Sequence, residues 1–344
     1  MHGNVSLKDV AAACGISVMT ASRAFRETAV IRPETRAKVL RAAEKLGYSH
    51  VRRTGRPPAG NSDQPKQIQL ILGNAARRMY YFHMRLLTAL EQRFAQAGFE
   101  CVIRTCGDEY PIFVRLLDRV RNDRSAETVI LGSFFPEQLA ELVNALPGAV
   151  LIDNAVPPPL QRNVSVFSFD NRGAAVAAVD HLLSVGRRKI LLICGPPDHF
   201  FSRELLSGYR ESLSGGGVPF DTRYVIHTDF SAASAAAAVR EAREGGLDFD
   251  AVFTNDEMAA GVYRALHELH LRIPDDVSVC GCDDLPIGAQ LYPGLTTIAL
   301  DYAELAAWVV RYLGTPRAAA GPEVRLPGEL RVRQSTVSPS ADRK

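Results

Sequence analysis

From Ile68 onward the chain alternates short apolar runs with stretches whose apolar residues recur every three or four positions. The runs include "IQLILG", "ECVIRT", "TVILGS", "AVLID", "VSVFSFD", "KILLICG", "YVIHTD", "DAVFTND" and "VSVCGCD". Between them the spacing predicts helices over 80–97, 113–121, 136–146, 172–184, 204–214, 232–244 and 257–268. Strands that are apolar on both faces and joined through helices form parallel sheets covered on both sides. So many units exceed one doubly wound sheet, and two lobes are expected. In such folds ligands bind beyond the C-terminal strand ends. Those ends carry Gly73-Asn74, Ser133, Asp153, Phe169-Asp170, Asp229-Phe230, Asn255-Asp256 and Asp283-Asp284.

The first fifty residues follow a different pattern. Ser6-Leu7-Lys8-Asp9 has the form of a capping box, and Val10, Ala11 and Cys14 fall on one face of the helix it opens. Gly15 ends that helix, and Ser17 caps a second after the turn "GIS". On the second helix Ala21, Ala24 and Phe25 share one side, while Val18, Met19, Ser22, Arg23 and Arg26 share the other. A third helix starts at Pro33, buries Val39, Leu40, Ala43 and Leu46, and stops at Gly47. Three short helices with a tight first turn and an Arg-tipped outer row read as helix-turn-helix, whose second helix fits the DNA major groove. A small solvated bundle is the bland rival; it requires neither the tight turn nor the Arg row.

Charge sharpens the division. The chain has 344 residues, 47% hydrophobic and 23% charged, with a net charge of +2. Residues 1–62 hold eleven Lys and Arg against four acids, so this segment is +7 and the rest is −5. A basic head on a mildly acidic body suggests a polyanion-binding module attached to a body with other work. No apolar stretch has the length of a membrane span, and the N-terminus lacks a secretory pattern. A cytoplasmic, nucleoid-associated location is expected, with the six cysteines reduced and Cys280 and Cys282 buried in a strand.

The segment "VSLKDVAAACGISVMTASRAFRETAVIRPETRAKVLRAAEKLGY" resembles the DNA-binding domain of the lactose-repressor (LacI/GalR) family, without gaps from Ser6 to Tyr48. The similarity continues from Ile68 to about Arg333 through "FDNRGAAVAAVDHLLSVGRRKILLICG", "SGYRESL", "DAVFTNDEMAAGVYRALHELHLRIPDDVSVCGCDD" and "YPGLTTI". The resemblance implies an α/β protein: an all-α helix-turn-helix head plus a two-lobed, periplasmic-binding-protein-like body with parallel doubly wound sheets. The expected domains are 1–49 for the head, 50–66 for the hinge, 67–334 for effector binding and dimerisation, and 335–344 for a disordered tail. The implied function is a DNA-binding transcriptional regulator, a repressor, whose operator affinity follows a small polar ligand held between the lobes.

Carried over by position, the resemblance makes Val18 and Met19 the specificity pair. Ser22 and Arg23 come next to bases or phosphate, Thr20, Thr35, Arg36 and Tyr48 are phosphate-contacting or packing residues, and Ser6 and Arg26 complete the DNA-facing set. An apolar Val-Met pair reads thymine methyls and shape, which leaves Arg23 as the polar base reader. In the cleft, Asp153, Asn255 and Asp283 would bond ligand hydroxyls, Phe230 would stack on the ligand, and Asn74, Ser133 and Asp170 would assist. Asp153, Asn255 and Asp256 also suit helix caps, a role favoured for Asp256, and Phe230 also suits plain core. Asp284 fits a structural place in the connection between lobes.

Two departures stand out. The family's ligand-clamping Arg before "GYR" is Leu205 here, so either Arg203 or the pair Arg77 and Arg78 in the loop after the first strand is expected to take its place, the pair being solvated loop charges in the bland reading, with His199 and Phe200 lining the mouth. The expected ligand is then a sugar or a sugar acid. In the linker, Gly55, Pro57 and Pro58 oppose the family's hinge helix, and Pro57 stands where its groove-inserted leucine would be. "TGRP" instead suits an extended arm placing Arg56, helped by Arg53, in a narrow minor groove, with a disordered basic tether as the alternative.

Other classes find little support. "SGGGV" lacks a phosphate-loop Lys, and neither HExxH nor GxSxG occurs, so no enzyme, cofactor or metal is implied. His181 reads as a satisfied helix histidine. An exported sugar-binding protein lacks its signal, whereas a regulator answering to a protein corepressor stays open. The polar tail "STVSPSADRK" has no leucine heptad, which predicts a homodimer on a pseudo-palindromic double-stranded operator rather than a tetramer.

Overall fold

The computed structural model describes residues 7–24, 31–46, 66–73, 81–106, 109–123, 126–156, 160, 164–314 and 321–336, with backbone only at 7, 8, 19, 22, 23, 33, 44 and 126. The chain divides into two units, 1–64 and 65–344.

The first unit holds α1 (Leu7–Cys14), α2 (Val18–Ala24) and α3 (Pro33–Leu46). Gly15 ends α1 with φ +64, a left-handed conformation that costs glycine little. Its N–H reaches the Ala12 carbonyl at 3.1 Å, and the Ile16 N–H reaches that of Ala11 at 3.1 Å. Ser17 caps α2 as expected, its Oγ accepting from the Thr20 N–H at 3.1 Å. Val10, Ala11, Cys14, Ala21, Ala24, Val39 and Ala43 form one small core. Leu40 and Leu46 do not join it: they are 46% and 38% exposed. Val39 and Ala43 lie four residues apart on the buried stripe, and Leu40 falls a further 100° round the helix, where two short partner helices do not reach.

The second unit contains two six-stranded sheets. The first has strand order β11-β5-β4-β3-β1-β2, all parallel. Its strands are β1 (Lys66–Leu72), β2 (Phe99–Thr105), β3 (Ala126–Leu131), β4 (Ala149–Ile152), β5 (Val164–Phe169) and β11 (Glu323–Leu326). The second has order β12-β10-β9-β8-β6-β7, with only β12 antiparallel. It is built from β6 (Ile190–Cys194), β7 (Val225–His227), β8 (Ala251–Phe253), β9 (Ser278–Asp283), β10 (Thr296–Ala299) and β12 (Glu329–Arg331). The central strands are buried throughout, as "AVLI" and "VSVFSF" demand.

The intervening helices are α4 (Tyr81–Gln96), α5 (Tyr110–Asn122), α6 (Pro136–Ala145), α7 (Asn171–Ser184), α8 (Phe200–Gly215), α9 (Ala232–Glu244), α10 (Asp256–Glu268), α11 (Pro286–Gln290) and α12 (Tyr302–Leu313). The chain crosses between lobes three times. It leaves β5 for α7, which packs on the second sheet; leaves β10 for α12, which packs on α4 and β5; and leaves β11 for β12.

The boundaries differ from expectation in three places. α8 begins at Phe200 rather than 204, because His199 caps it by accepting the Phe201 N–H at 3.3 Å. β1 begins at Lys66, one residue inside the expected linker. At the other end, Ser335 and Thr336 belong to the body and not to a disordered tail, being 0% and 3% exposed. Ser335 Oγ accepts from Thr296 N at 2.7 Å and donates to the Val279 carbonyl at 2.6 Å. Thr336 Oγ1 lies 2.7 Å from Nε2 of His181, which is therefore a satisfied helix histidine. Residues 337–344 lie outside the described set.

All six cysteines are thiols, and Cys280 and Cys282 are buried in β9. Among the described residues no helix is long and apolar enough to cross a membrane. No group of three or more His, Cys, Asp or Glu could hold a metal ion there.

Candidate functional site

Two surfaces were expected from the sequence. In the first unit, α2 leaves Val18 41% exposed at its first position, as a residue meeting a base edge requires. Thr20 is partly committed elsewhere, since its Oγ1 lies 2.8 Å from Ser17 Oγ in the capping turn. Thr35 and Arg36 are half-buried in the first turn of α3. Met19, Ser22 and Arg23 lie on α2, but their side chains fall outside the described set, as do Ser6, Arg26, Tyr48, Arg53 and Arg56 entirely.

In the second unit the strand ends gather polar and aromatic groups where the lobes meet. Asp153 follows β4 with φ +50, its N–H on the Phe167 carbonyl at 2.9 Å. Its carboxylate accepts from Asn171 Nδ2 at 3.1 Å, a bond between the end of β4 and the start of α7. Burial pushes the Asp153 carboxyl up to about 6; the Asn171 bond works against this and Glu204 reinforces it. Asp283 ends β9 with φ +109 and is 3% exposed. Burial first, then the neighbouring charges of Asp256 and Asp153, hold its carboxyl well above the usual range. The Asp283 carboxyl thus feels Asp153 from the other lobe.

Phe230 stands at the end of the loop after β7 with φ +67, strained for a bulky side chain. Its ring meets His199 edge-on at 4.9 Å and Phe201 at 6.2 Å. The para end of its ring comes against Gly195, where a Cβ would sit about 2.0 Å from Cζ. The ring is half-buried and borders both hydrophobic clusters of the body, so it is wall rather than closed core.

Several expected residues have other duties. Asp170 caps α7 through the Gly173 N–H at 2.9 Å, and Asn255 caps α10 through the Met258 N–H at 2.9 Å. Asp256 is not the cap, contrary to expectation. It is fully buried inside the first turn and accepts from Leu285 N at 2.7 Å and Thr297 Oγ1 at 2.6 Å, joining α10 to β10 and to the loop after β9. Gly281 makes room for it, since a Cβ there would lie 2.1 Å from Oδ1. Burial pushes the Asp256 carboxyl up to about 7, against the pull of those two bonds.

Arg203, offered for the missing clamp, is exposed and donates to the Asp198 carbonyl at 2.6 Å, while Leu205 is fully buried. Ser133 is half-buried at the end of β3, with its carbonyl against Gly73; Asn74 and Arg77 lie outside the described residues. Asp284 is structural, as expected. It receives Arg331 at 2.5 Å and Arg333 at 2.6 Å, and its carbonyl accepts from Arg85 of α4 at 2.9 Å.

Four residues of this region were not singled out from the sequence. Tyr302 opens α12 beside Asp283, its hydroxyl 3.5 Å from that residue's carbonyl. Its ring lies 5.4 Å from Phe169 and 5.7 Å from Phe82 of α4. Asn171 holds Asp153, and His83 of α4 feels His199 across the lobes. Burial drives both imidazoles down to about 4, so they are neutral at physiological pH. "ALDY" follows a strand just as "FSFD" does, so the strand-end rule could have flagged Tyr302. A cavity of about 700 Å³ also opens at the crossings, lined by Met84, Thr88, Gln92, Asp301, Pro327 and Arg331 among others, but it contains none of the expected ligand residues.

Residues 6–50 match the family described as bacterial regulatory proteins of the lacI family, and residues 179–336 match a periplasmic binding protein-like domain. The transcriptional regulator CelR of Thermobifida fusca is 28% identical over 299 residues, covering 85% of this chain and 86% of its own. A CelR–cellobiose complex superposes with a TM-score of 0.71 at 28% identity, covering 96% of this chain and 99% of that one. A lac repressor dimer bound to operator and the anti-inducer ONPF superposes with a TM-score of 0.70 at 26% identity, covering 98% and 100%.

Proposed function

Because the chain belongs to the LacI/GalR family of DNA-binding transcriptional regulators, which are not enzymes, we propose that it works as a ligand-controlled repressor. A homodimer places two copies of α2 in successive major grooves of a pseudo-palindromic operator. Val18 and Met19 read base edges, Ser22 and Arg23 stand beside them, and Thr20, Thr35 and Arg36 hold the backbone with Ser6, Arg26 and Tyr48. A sugar or sugar derivative binds between the lobes of the body, against Asp153, Asn255, Asp283 and Phe230, with Asn74, Arg77, Ser133 and Asp170 near it. Binding biases one lobe arrangement over another, and thereby operator affinity.

One observation carries this reading: acidic and aromatic side chains gather at the strand ends of both lobes, Asp153 held by Asn171, Tyr302 beside Asp283 and Phe230 beside His199. Carboxylates that can each engage two hydroxyls, beside an aromatic face, suit a polyhydroxylated ring. The CelR–cellobiose complex, similar in fold, supports it. Of the two ligands expected from the sequence, the sugar acid fits poorly. The only described arginine offered for its carboxylate, Arg203, is turned to a backbone carbonyl, and the described charges acting on Asp153 and Asp283 are acidic, which leaves Arg77, with Arg78 beside it, as the one candidate partner for a sugar acid.

Selection of operator fragments by the purified chain, followed by mobility shifts against a sugar panel, tests the proposal. The expected result is a two-fold-symmetric site whose affinity changes at least about tenfold with one ligand, the span of a modest allosteric coupling. Failure to retain any specific fragment overturns it. In the same assay Arg56→Ala is expected to weaken operator binding and to relax preference for an A·T-rich centre. Unchanged affinity and preference would refute the minor-groove arm and leave a basic tether.

A further inference from the structure

We propose that Arg85 is a positioning residue that clasps the two lobes: it holds the Tyr302 ring and the end of β9 together, and so sets the lobe arrangement of the ligand-free protein. The proposal rests on the ligand-controlled reading of function and adds the residue through which the lobes are held. Arg85 lies on α4, which follows β1 of the first sheet. Its Nη1 donates to the Asp284 carbonyl at 2.9 Å, across 199 residues of chain, onto the loop that leaves β9 of the second sheet. Its Cζ stands 4.9 Å from the centre of the Tyr302 ring. One side chain thus meets both groups at once.

Both surfaces that Arg85 grips are fixed by their own neighbours. The Asp284 carboxylate takes Arg331 at 2.5 Å and Arg333 at 2.6 Å. The next residue, Leu285, gives its N–H to the buried Asp256 carboxylate at 2.7 Å. On the other side the Tyr302 ring packs 5.7 Å from Phe82 of α4 and 5.4 Å from Phe169 at the end of β5. Arg85 itself is exposed, so directed contacts rather than burial hold it in place. A guanidinium suits this double task, because its plane covers a ring while its N–H groups stay free to donate. One turn earlier α4 has a second hold on this lobe, the Tyr81 N–H on the Glu257 carboxylate of α10. That bond uses the α4 backbone and does not depend on the side chain at 85.

The clasp adjoins the candidate ligand site. Asp283 directly precedes Asp284, and its carbonyl lies 3.5 Å from the Tyr302 hydroxyl. A ligand bonded to Asp283 therefore acts on the two segments that Arg85 joins, which is how occupancy would favour or oppose the grip. The cavity of about 700 Å³ at the crossings is lined by Arg85, Asp284 and Tyr302 together. The guanidinium thus has room to swing free without disturbing the core. An exposed hydrogen bond and a ring contact are each weak, yet single contacts of this size are enough to tip the balance between two lobe arrangements.

The test follows backbone amide exchange by mass spectrometry in the full-length, ligand-free protein, comparing the native chain with Arg85→Ala and Arg85→Lys. Arg85→Ala is expected to speed exchange at least about fivefold in both 281–287 and 299–305, with β3 and β6 unchanged. Lysine can keep the carbonyl bond but cannot also lay a plane on the ring. Arg85→Lys is therefore expected to restore 281–287 and leave 299–305 fast, a split that loss of bulk alone would not produce. Mobility shifts on a fragment selected by the native chain are expected to show ligand-free affinity altered at least about threefold by Arg85→Ala. A rise confined to α4, or no rise, overturns the clasp. Faster exchange at both segments with unchanged operator affinity overturns its control of the lobe arrangement. If the native chain retains no specific fragment, the regulatory reading falls by itself and the exchange pattern still decides whether Arg85 holds the lobes.

Discussion

Asp256→Ala is expected to lower the stability of the body by about 3–5 kcal/mol, whereas Asp256→Asn costs less than about 1 kcal/mol. The carboxylate is fully buried and accepts from the Leu285 N–H and the Thr297 hydroxyl, two donors from different parts of the second lobe. Alanine strands both in the interior and leaves a hole beside Gly281. Asparagine keeps its carbonyl for Leu285 and turns its amide to the Thr297 oxygen, so both contacts survive with one donor role exchanged. The pair also separates hydrogen bonding from charge. Burial lifts this carboxyl from 3.8 to about 7 in the folded state. A raised acid stabilises the fold fully below its unfolded value, and that contribution disappears as pH rises through the folded value. The native chain should thus lose stability relative to Asp256→Asn between about pH 4 and 7. Denaturant unfolding of both proteins across that window measures it; parallel curves would show that the carboxyl is not titrating there.

Gly195→Ala is expected to weaken ligand binding by roughly thirtyfold, equivalent to about 2 kcal/mol for losing an aromatic wall, with folding and operator affinity nearly unchanged. The new methyl would lie about 2.0 Å from the Phe230 ring, so the ring must leave. It can do so cheaply, because it is half-buried on a loop and held at φ +67 only by its surroundings. Phe230→Ala should reproduce the loss, and the double variant should be no worse than either single change. Calorimetry with the ligand found in the operator assay provides the numbers. An additive double variant would mean that Gly195 acts by some route other than Phe230.

Much of this architecture could be read from periodicity. Seven of the nine helices described in the body were placed within a few residues, because apolar strand cores and amphipathic helices carry separate spacings; α11 and α12 were not. β11 and β12 escaped notice because "EVRL" and "ELR" alternate charge with half-burial at sheet edges, where few apolar side chains are needed. The candidate ligand residues were harder. Asp153, Asp283 and Phe230 were proposed as strand-end residues, and Asp170 and Asn255, proposed with them, also serve as helix caps. What separates the two sets is backbone conformation: φ is positive at Asp153, Phe230 and Asp283, which turns the chain away from a cap. That difference has no one-residue signature. Neither does the burial of Asp256, whose partners lie 29 and 41 residues away. The start of α8 was hard for a related reason: it begins one turn earlier than the apolar spacing suggested, which leaves Arg203 exposed beside the Asp198 carbonyl.

The placement of the last two strands has a consequence for how the protein is made. β11 completes the first sheet against β5, and β12 completes the second against β10, although only two residues separate them in the chain. During synthesis the head emerges first and has its own small core. Neither lobe of the body is closed until residues 323–331 have left the ribosome. Until then both β5 and β10 present bare backbone edges of the kind that invite pairing with another nascent chain. A message truncated just short of Glu323 would therefore damage both lobes at once, and its product would carry an intact reading head on a body prone to aggregate.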